Sequence, residues 1–533
     1  MSKYVLPALL AVAGCGDRAD KWETPFVLSH SVNLSGSVAL VDARRNEALM
    51  LTSRGPLEVN VERLAIGRNV VAAVASRDKQ QLFVLTRGVE RRLNAGDERP
   101  RLSVIDGGTQ PRIKRSYELD DPLQKLAIDP LGEWAVAYDA GGVVVNVNEL
   151  ILAHVAQPER ETFPKTIRSK GGQPERFTFT TKLQVPGGGS HRLLVVETVQ
   201  QVSILDLDNP EARDIAIDLP RTKSGGVAEP AQVIFQDDLP GDEEVAAYLA
   251  IRFKNDSNVL TLRLNQPAPG SSAAFSLVPN MVDAGAQPST IEFVRTERGL
   301  RLAALVPSRP AAVLFDPATS KSELVELDQP YSGIARVTAL VNDAPSSADV
   351  ALLYSNQAAS IAFWRLGLAS GTPYASFESY PVDNLVTEVL DVPGEDFAHL
   401  KLLRGSDGAK FFLLDLKSRQ SSPMRALSGL SLRLSPDGQR AWAYRQGTPD
   451  IAQLLFENQH SISLAVERPV NEVFDIQQSV GAGRTAIVLH ASGSGQASVG
   501  AGTTSDAAVT LFDAVAPDSA QTRFVSGLMW EGI

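Results

Sequence analysis

Cysteine is almost absent from this chain, which has one cysteine, Cys15, among 533 residues. A single cysteine cannot form a disulfide within the chain, so a fold held together by disulfides is excluded and stability must come from packing. Long apolar runs are also missing. The most apolar one, from Tyr4 to Ala13, is about half as long as the roughly 20 residues that a membrane-spanning helix needs. The sequence therefore predicts no transmembrane helix.

The chain also lacks a positive charge balance. Lysine and arginine number 51 against 62 aspartates and glutamates, which gives a net charge of −11. An acidic surface disfavours nucleic acids and anionic lipid surfaces. The densest basic segment, from Arg87 to Arg99, mixes both signs and is interpreted as a solvated hairpin loop. We therefore expect no nucleic-acid partner.

The N-terminus has the composition of an export signal. Lys3 precedes the apolar run, and small residues follow it in the sequence Val12-Ala13-Gly14-Cys15. This segment resembles the lipobox of bacterial lipoproteins, although Val12 stands where the family usually has leucine. The resemblance implies that Cys15 is lipidated and becomes the first residue of the mature protein. The alternatives are an ordinary secretory signal with an incidental cysteine, or a buried first strand.

Three segments follow from this interpretation. Residues 1–14 are predicted to be the signal peptide, residues 15–25 the lipidated cysteine with a polar tether, and residues 26–533 one globular domain. The expected location is the bacterial cell envelope, facing the periplasm or the cell surface. Gly16 follows the cysteine where aspartate is the inner-membrane retention signal in enterobacteria-like sorting, so the outer membrane is preferred.

Sustained helical periodicity is nearly absent from the domain. Runs of four to eight apolar and β-branched residues alternate with turns rich in Gly, Pro, Asp and Asn, which is typical of strands and hairpins. The stretch 148–163 fits a short helix, but its segment ELILAHV fits a strand equally well. The sequence predicts an all-β domain.

One strand motif recurs about every 52 residues. It is an apolar strand that ends in aspartate, and its clear copies end at Asp42, Asp106, Asp206, Asp316, Asp415 and Asp513. Weaker copies lie at 143–147, 259–264, 361–366 and 452–456. Each interval also holds a hairpin, so each repeat has four strands, which is typical of a propeller blade. We expect each aspartate to accept backbone N–H groups in the turn that follows it.

Two segments carry a family resemblance. Ser435-Pro436-Asp437-Gly438, between two strands, is similar to the turn of TolB-type WD-like repeats. LFVLTRG followed by LSVIDGGT resembles the YVTN-type repeat. Both imply a β-propeller. The repeat count predicts a single β-propeller of four-stranded blades, about eight to ten with seven possible; two small propellers are the alternative, but no linker after residue 25 divides them. The short strand predicted at 522–533 is expected to close the ring by pairing with strands near residues 28–52.

The sequence shows no clear catalytic or cofactor site. The histidines are not spaced as zinc ligands; they are His30, His154, His191, His399, His460 and His490. No serine or threonine has an assignable base and acid, and the glycine- and serine-rich stretch 491–508 precedes a strand rather than a phosphate-binding helix. The weak candidates for a metal site are calcium ligands in one acidic loop, Asp237, Asp238, Asp242, Glu243 and Glu244. No catalytic residue, cofactor or other metal site is predicted.

Two functions remain open at this stage. The preferred one is a binding or scaffold module that a lipid holds at the envelope and that recognises a protein or a polysaccharide. The alternative is a hydrolase or lyase, similar to lactonase-like propellers, with its site in the central channel. Propellers bring strands from several blades together in such a channel, where a ligand can bind.

Overall fold

The computed structural model of the protein describes residues 28–525 with gaps. The gaps are 90–93, 95, 140–148, 158–161, 168–172, 186–188, 199–200, 223–224, 238, 240–244, 267–274, 338–349, 367–375, 393–396, 407–410, 424–430, 491–507 and 518–520. Cys15 and its flanking segments lie outside the described residues. Within the described part of the chain no helix is present that could cross a membrane.

The described residues form ten four-stranded antiparallel sheets, which we call blades 1 to 10 in chain order. The strands of blades 1 to 5 are as follows: β1 (Leu28–Asn33), β2 (Ser37–Asp42), β3 (Glu47–Gly55), β4 (Glu58–Ala65); β5 (Val70–Ala75), β6 (Gln81–Thr86), β7 (Arg101–Asp106), β8 (Ile113–Glu118); β9 (Lys125–Ile128), β10 (Trp134–Tyr138), β11 (Leu150–His154), β12 (Thr162–Lys165); β13 (Pro174–Phe179), β16 (Leu193–Thr198), β17 (Gln201–Asp206), β18 (Ile215–Asp218); β19 (Pro230–Gln236), β20 (Val245–Phe253), β21 (Asn258–Asn265), β22 (Ser276–Asp283). A small hairpin, β14 (Leu183–Val185) with β15 (Gly189–His191), is inserted within blade 4.

Blades 6 to 10 repeat the same arrangement. Their strands are β23 (Thr290–Thr296), β24 (Gly299–Val306), β25 (Ala311–Phe315), β26 (Ser322–Glu326); β27 (Gly333–Val337), β28 (Val350–Tyr354), β29 (Ser360–Arg365), β30 (Ser376–Pro381); β31 (Val386–Asp391), β32 (Leu400–Gly405), β33 (Phe411–Asp415), β34 (Gln420–Pro423); β35 (Ser431–Leu434), β36 (Arg440–Tyr444), β37 (Asp450–Leu455), β38 (His460–Ala465); β39 (Val470–Gln477), β40 (Arg484–His490), β41 (Val509–Asp513), β42 (Arg523–Val525).

Burial explains why the middle strands were easy to recognise in the sequence. The second strands β2, β10, β16 and β40 are buried along their whole length. Strands covered on both faces form continuous apolar runs rather than alternating ones. The fourth strands, such as β4 and β26, alternate between exposed and more buried positions because they lie at the rim.

The blades are arranged as a closed ring. First strands of neighbouring blades contact one another, for example β1 with β5, β23 with β27, and β39 with β1, so the first strands lie innermost. Ten buried apolar clusters each join two consecutive blades, and one of these pairs is blade 10 with blade 1. The predicted single β-propeller of four-stranded blades is therefore confirmed, with ten blades.

The way in which the ring closes differs from the prediction. β42 pairs with β41 of its own blade, so the predicted pairing with residues 28–52 is wrong for the described part of the segment 522–533. Blade 10 instead packs face to face on blade 1. Ser53 Oγ lies 2.7 Å from Thr485 Oγ1 in this interface, and Ser479 N donates to Ser53 O at 2.7 Å. A four-stranded last blade needs no strand from the N-terminus.

The aspartate motif has the structural role that we expected. All six carboxylates accept backbone N–H groups from the turn that follows. Five of the aspartates stand at the end of the third strand in the even-numbered blades, whereas Asp42 ends a second strand. The weak copy at 143–147 lies outside the described residues. Within 148–163, residues 150–154 lie in β11 and residues 162–163 in β12, and none of the described residues is helical, so the strand alternative holds there.

Candidate binding cleft between blades 3 and 4

Antiparallel strands place their connections alternately on the two faces of the ring. We call the face with the first-to-second and third-to-fourth connections the upper face. On this face, a polar cleft of about 170 Å³ opens between blades 3 and 4. Its lining includes Glu133, His154, Gln157, Lys182, Arg192 and Asp208.

A buried ion pair forms the base of this cleft. Arg192 Nη1 and Nη2 each donate to one carboxylate oxygen of Asp129 at 2.6 Å. The side chain of Arg192 is 3% exposed and that of Asp129 is 0% exposed. Arg192 also donates to Glu133 Oε2 at 3.0 Å and to Thr180 O. The acceptors around the guanidinium therefore come from both blades: Asp129 and Glu133 from blade 3 and Thr180 from blade 4.

The charge state of Asp129 follows from these contacts. Burial is the largest single influence and raises the pKa of the carboxyl group, but the hydrogen bonds and positive charge of Arg192 act together with nearby backbone N–H groups to outweigh it. The backbone N–H groups of Leu131 and Glu133 also lower the pKa. The net result is a pKa below the ordinary value, so Asp129 is ionised at neutral pH.

The local sequence explains how Asp129 is placed. Asp129 begins the tight turn Asp129-Pro130-Leu131-Gly132, in which Gly132 adopts a φ of 69°, a conformation that favours glycine. Blade 9 has the same turn at residues 435–438, where Gly438 also has a φ of 69°. The proline and the glycine thus fix the turn from which the carboxylate reaches the next blade.

The exposed edge of the cleft is polar and partly fixed. Lys182 Nζ lies 3.1 Å from Glu133 Oε1, and 51% of the Lys182 side chain is exposed. Gln157 N donates to His154 Nδ1 at 3.0 Å. The ring of His154 packs edge to face on Trp134 with centroids 4.5 Å apart, which holds the imidazole in place. The cleft therefore presents both donors and acceptors around an immobile base.

Three possible metal ligands meet beside the cleft. His191 Nδ1 lies 3.0 Å from Asp206 Oδ2, and one ligand atom from each of His191, Asp206 and Asp208 lies within 4.8 Å of the others. The sequence did not point to this group, because no two histidines are close in the chain. The available signal was the pair of aspartates two positions apart at the end of β17.

The predicted calcium ligands are only partly described. Asp237 Oδ2 accepts a hydrogen bond from Thr181 N at 2.6 Å, which ties blade 5 to blade 4. The other four candidates, Asp238, Asp242, Glu243 and Glu244, lie outside the described residues.

Polar side chains on the innermost strands link blades to one another. Arg433 Nη2 donates to Glu472 Oε2 at 2.7 Å, and Ser31 Oγ donates to the other oxygen of the same carboxylate. The Gln232 amide donates to Ile291 O at 2.9 Å and accepts from Ile291 N at 3.0 Å. These inner groups are engaged in holding neighbouring first strands together. Among the described residues, the group at His191 is the one cluster with metal-ligand spacing.

Comparisons with known proteins give no family. No family model matches the chain, and no curated protein matches its sequence. Similar solved structures include the dihydro-heme d1 dehydrogenase NirN in complex with DHE (9% identity, 81% of this chain and 75% of that chain, TM-score 0.37). They also include apo AztD from Citrobacter koseri (12% identity, 73% and 95%, TM-score 0.32) and a streptogramin B lyase (13% identity, 58% and 94%, TM-score 0.31). Likeness at this level carries no argument about function. The ten-bladed β-propeller formed by the described residues is identified from their own strand pairing.

Proposed function

We propose that the protein is an envelope-anchored binding or scaffold module. A lipid on Cys15 holds it at the membrane, and the upper face of the ring recognises an envelope protein or a polysaccharide. The observation that carries this proposal is the polar cleft between blades 3 and 4, in which Glu133, Lys182 and Asp208 surround a buried Arg192–Asp129 pair.

Preorganisation favours a binding role for this cleft. Groups that are already held in place lose little conformational entropy when a ligand binds. Glu133 is held by both Arg192 and Lys182, and His154 is held by Trp134. The exposed lysine and the amide of Gln157 can then exchange water for the hydroxyl, carboxylate or amide groups of a ligand.

The tether agrees with this role. Residues 15–25 are polar and short, so a lipid on Cys15 would keep the ring near the membrane surface. Gly16 stands where aspartate would be the inner-membrane retention signal, which favours the outer membrane. A ring held in this way suits display to partners in the same envelope better than free diffusion.

The enzymatic alternative has less support. A hydrolase or lyase in the channel needs acids, bases or metal ligands free to act on a substrate. The inner carboxylate of Glu472 is engaged by Arg433 and Ser31, and the amide of Gln232 is engaged by the backbone of blade 6. These contacts hold the first strands of neighbouring blades together.

Capture of a partner from detergent-solubilised envelopes tests the proposal. The full chain is used as bait, and Lys182→Glu is compared with Lys254→Glu. Both lysines are about half exposed and pair with a glutamate at about 3 Å, Lys182 with Glu133 and Lys254 with Glu229, but Lys254 follows β20 on the opposite face. We expect the wild type and Lys254→Glu to retain one specific protein or glycan that Lys182→Glu loses. Recovery of nothing specific by the wild type, or equal retention by all three, would contradict the proposal.

A further inference from the structure

We propose that His191, Asp206 and Asp208 bind one divalent transition-metal ion of the Zn²⁺ class beside the cleft. This site is independent of the binding role proposed above and goes beyond it. One nitrogen and two carboxylate oxygens form its ligand set, and they come from the end of the inserted hairpin and from the turn after β17.

The distances suit a shared ion after a small adjustment. Ligand atoms around one Zn²⁺ ion, each bonded at about 2.0–2.2 Å, lie roughly 3–3.5 Å apart in a tetrahedral site. His191 Nδ1 and Asp206 Oδ2 are already 3.0 Å apart, and all three ligand atoms lie within 4.8 Å. A bound ion would replace the His191–Asp206 hydrogen bond and bring the three ligand atoms to this spacing.

Contacts behind the ligands hold them in position. Asp206 Oδ1 accepts the backbone N–H of Asp208 at 3.0 Å and that of Asn209 at 3.3 Å. Asp208 Oδ2 accepts the backbone N–H of Arg192 at 2.6 Å. The ring of His191 meets Phe275 edge to face, with centroids 5.7 Å apart. Such second contacts orient metal ligands and strengthen metal binding.

Comparison with the other even-numbered blades shows that blade 4 departs from the repeat at this point. The position two residues after the turn aspartate holds Gly108, Ala318, Lys417 and Val515 in blades 2, 6, 8 and 10, and Asp208 in blade 4. In all five blades the backbone N–H of the residue at this position donates to Oδ1 of the turn aspartate. The turn therefore does not require a second carboxylate.

The cation beside the turn aspartate also differs in blade 4. Asp106 pairs with Lys114 and Asp316 pairs with Arg301, each at 3.8 Å, whereas Asp206 pairs with His191. An imidazole can bind a metal ion, and lysine or arginine cannot do so while charged. The partner of the turn aspartate is therefore a possible metal ligand in blade 4, whereas in blades 2 and 6 it is a lysine or an arginine.

Charge and donor type select the ion. Two carboxylates and a neutral imidazole supply two negative charges, and the nearby Arg192 is already neutralised by Asp129 and Glu133. A mixed nitrogen and oxygen set suits Zn²⁺ or Co²⁺, whereas Ca²⁺ and Mg²⁺ prefer oxygen ligands alone. Three protein ligands leave a coordination position open to water or to a ligand in the cleft.

Titration of the metal-stripped full chain in detergent with Zn²⁺ and with Co²⁺ tests the site. We expect one ion to bind per chain, and a visible Co²⁺ spectrum with nitrogen and oxygen ligands. His191→Ala and Asp208→Ala should each weaken binding by at least tenfold. The matched control is His399→Ala, because His399 is also partly buried beside a phenylalanine, Phe397, with ring centroids 6.4 Å apart.

The controls make the result decisive. Thermal melting of each variant without metal shows whether it is folded, and only variants that melt as the wild type does are compared. Loss of the ion in His191→Ala but not in His399→Ala supports the site. A wild type that binds no ion, or a His191→Ala variant that binds as tightly as the wild type, overturns it. Partner capture with and without chelator reports separately on the proposed function.

Discussion

Arg192 and Asp129 join blades 3 and 4 through two parallel hydrogen bonds of 2.6 Å between guanidinium and carboxylate. Blades 9 and 10 have a related but weaker contact: Arg484 Nε lies 3.3 Å from Asp437 Oδ2 and 2.5 Å from Asp475 Oδ1 of its own blade. In both contacts between blades the acid lies in the first-to-second turn of one blade, and the arginine lies at the start of the second strand of the next. The same two positions of the repeat therefore carry a charged contact at these two blade interfaces.

Replacing Arg192 with methionine is expected to lower the free energy of unfolding by about 3–5 kcal/mol, because the buried Asp129 charge is left without a partner. The control is Arg68→Met. Arg68 lies 3.7 Å from Glu98 with 65% of its side chain exposed, and such surface pairs contribute about 0–1 kcal/mol. Denaturant unfolding of both variants measures the difference. Equal, small losses would contradict a structural role for the Arg192–Asp129 pair.

Ring closure predicts that a cavity in the interface between blades 10 and 1 lowers the free energy of unfolding as much as a cavity in any other blade interface. Leu511 is buried in this interface and Leu302 in the one between blades 5 and 6, and each is 0% exposed. Replacing either leucine with alanine should cost about 2–5 kcal/mol through lost burial and a new cavity. Unfolding experiments on the two variants compare the interfaces. A Leu511→Ala variant with nearly wild-type stability would contradict closure at this point.

The fold could be inferred from the sequence because its periodic features are local. Middle strands buried on both faces produce unbroken apolar runs, and an aspartate such as Asp206 marks the following turn through its own backbone contacts. Ring closure is not a local feature, because it depends on the packing of the faces of blades 10 and 1 against each other. A short apolar segment near the C-terminus could form the fourth strand of its own blade or pair with the first blade. The sequence does not distinguish these two pairings, and the structure shows the first one.

The cleft was not predictable because its parts come from distant positions in the chain. Asp129 and Arg192 are separated by 63 residues and meet only because blade 4 follows blade 3 around the ring. His191 and Asp206 are 15 residues apart, and they meet because Leu193, two residues after His191, pairs with Asp206 across the β16–β17 hairpin. Spacing rules for zinc sites look for histidine or cysteine ligands close together in the chain, whereas this group contains one histidine and two aspartates.

Stability should depend on His490 between neutral and mildly acidic pH. The imidazole is 5% exposed, its Nε2 lies 2.7 Å from Thr510 Oγ1, and its Nδ1 faces the carbonyl of Arg468 at 3.2 Å. Burial is the largest influence and lowers the pKa of His490; the backbone carbonyls of Pro469 and Arg468 raise it, and the net pKa lies below the ordinary value. The neutral ring therefore fits the folded state.

The direction of the pH effect follows from linkage. An unfolded histidine has a pKa of about 6.5, so below that pH the unfolded chain takes up a proton more readily than the folded chain. The stabilisation is present above about pH 6.5 and is lost as the pH falls through the lower folded pKa. His490→Gln should flatten this part of the pH profile of the melting temperature. The exposed His460→Gln should leave it unchanged, and a wild-type slope in His490→Gln would contradict the assignment.

Anchoring through Cys15 predicts that Cys15→Ser releases the protein from the envelope without lowering its melting temperature. Serine has no thiol to accept a lipid, and burial of lipid CH₂ groups at about 0.8 kcal/mol each provides the membrane affinity. The ring starts at β1 (Leu28–Asn33) and is stabilised by contacts between blades, so loss of the anchor should not alter its packing. Fractionation of cells that express Cys15→Ser, with Ser2→Ala as a control that keeps the thiol, measures the release. If Cys15→Ser stays with the membrane fraction while folded, the anchor is not at Cys15 and the outer-membrane assignment based on Gly16 fails with it.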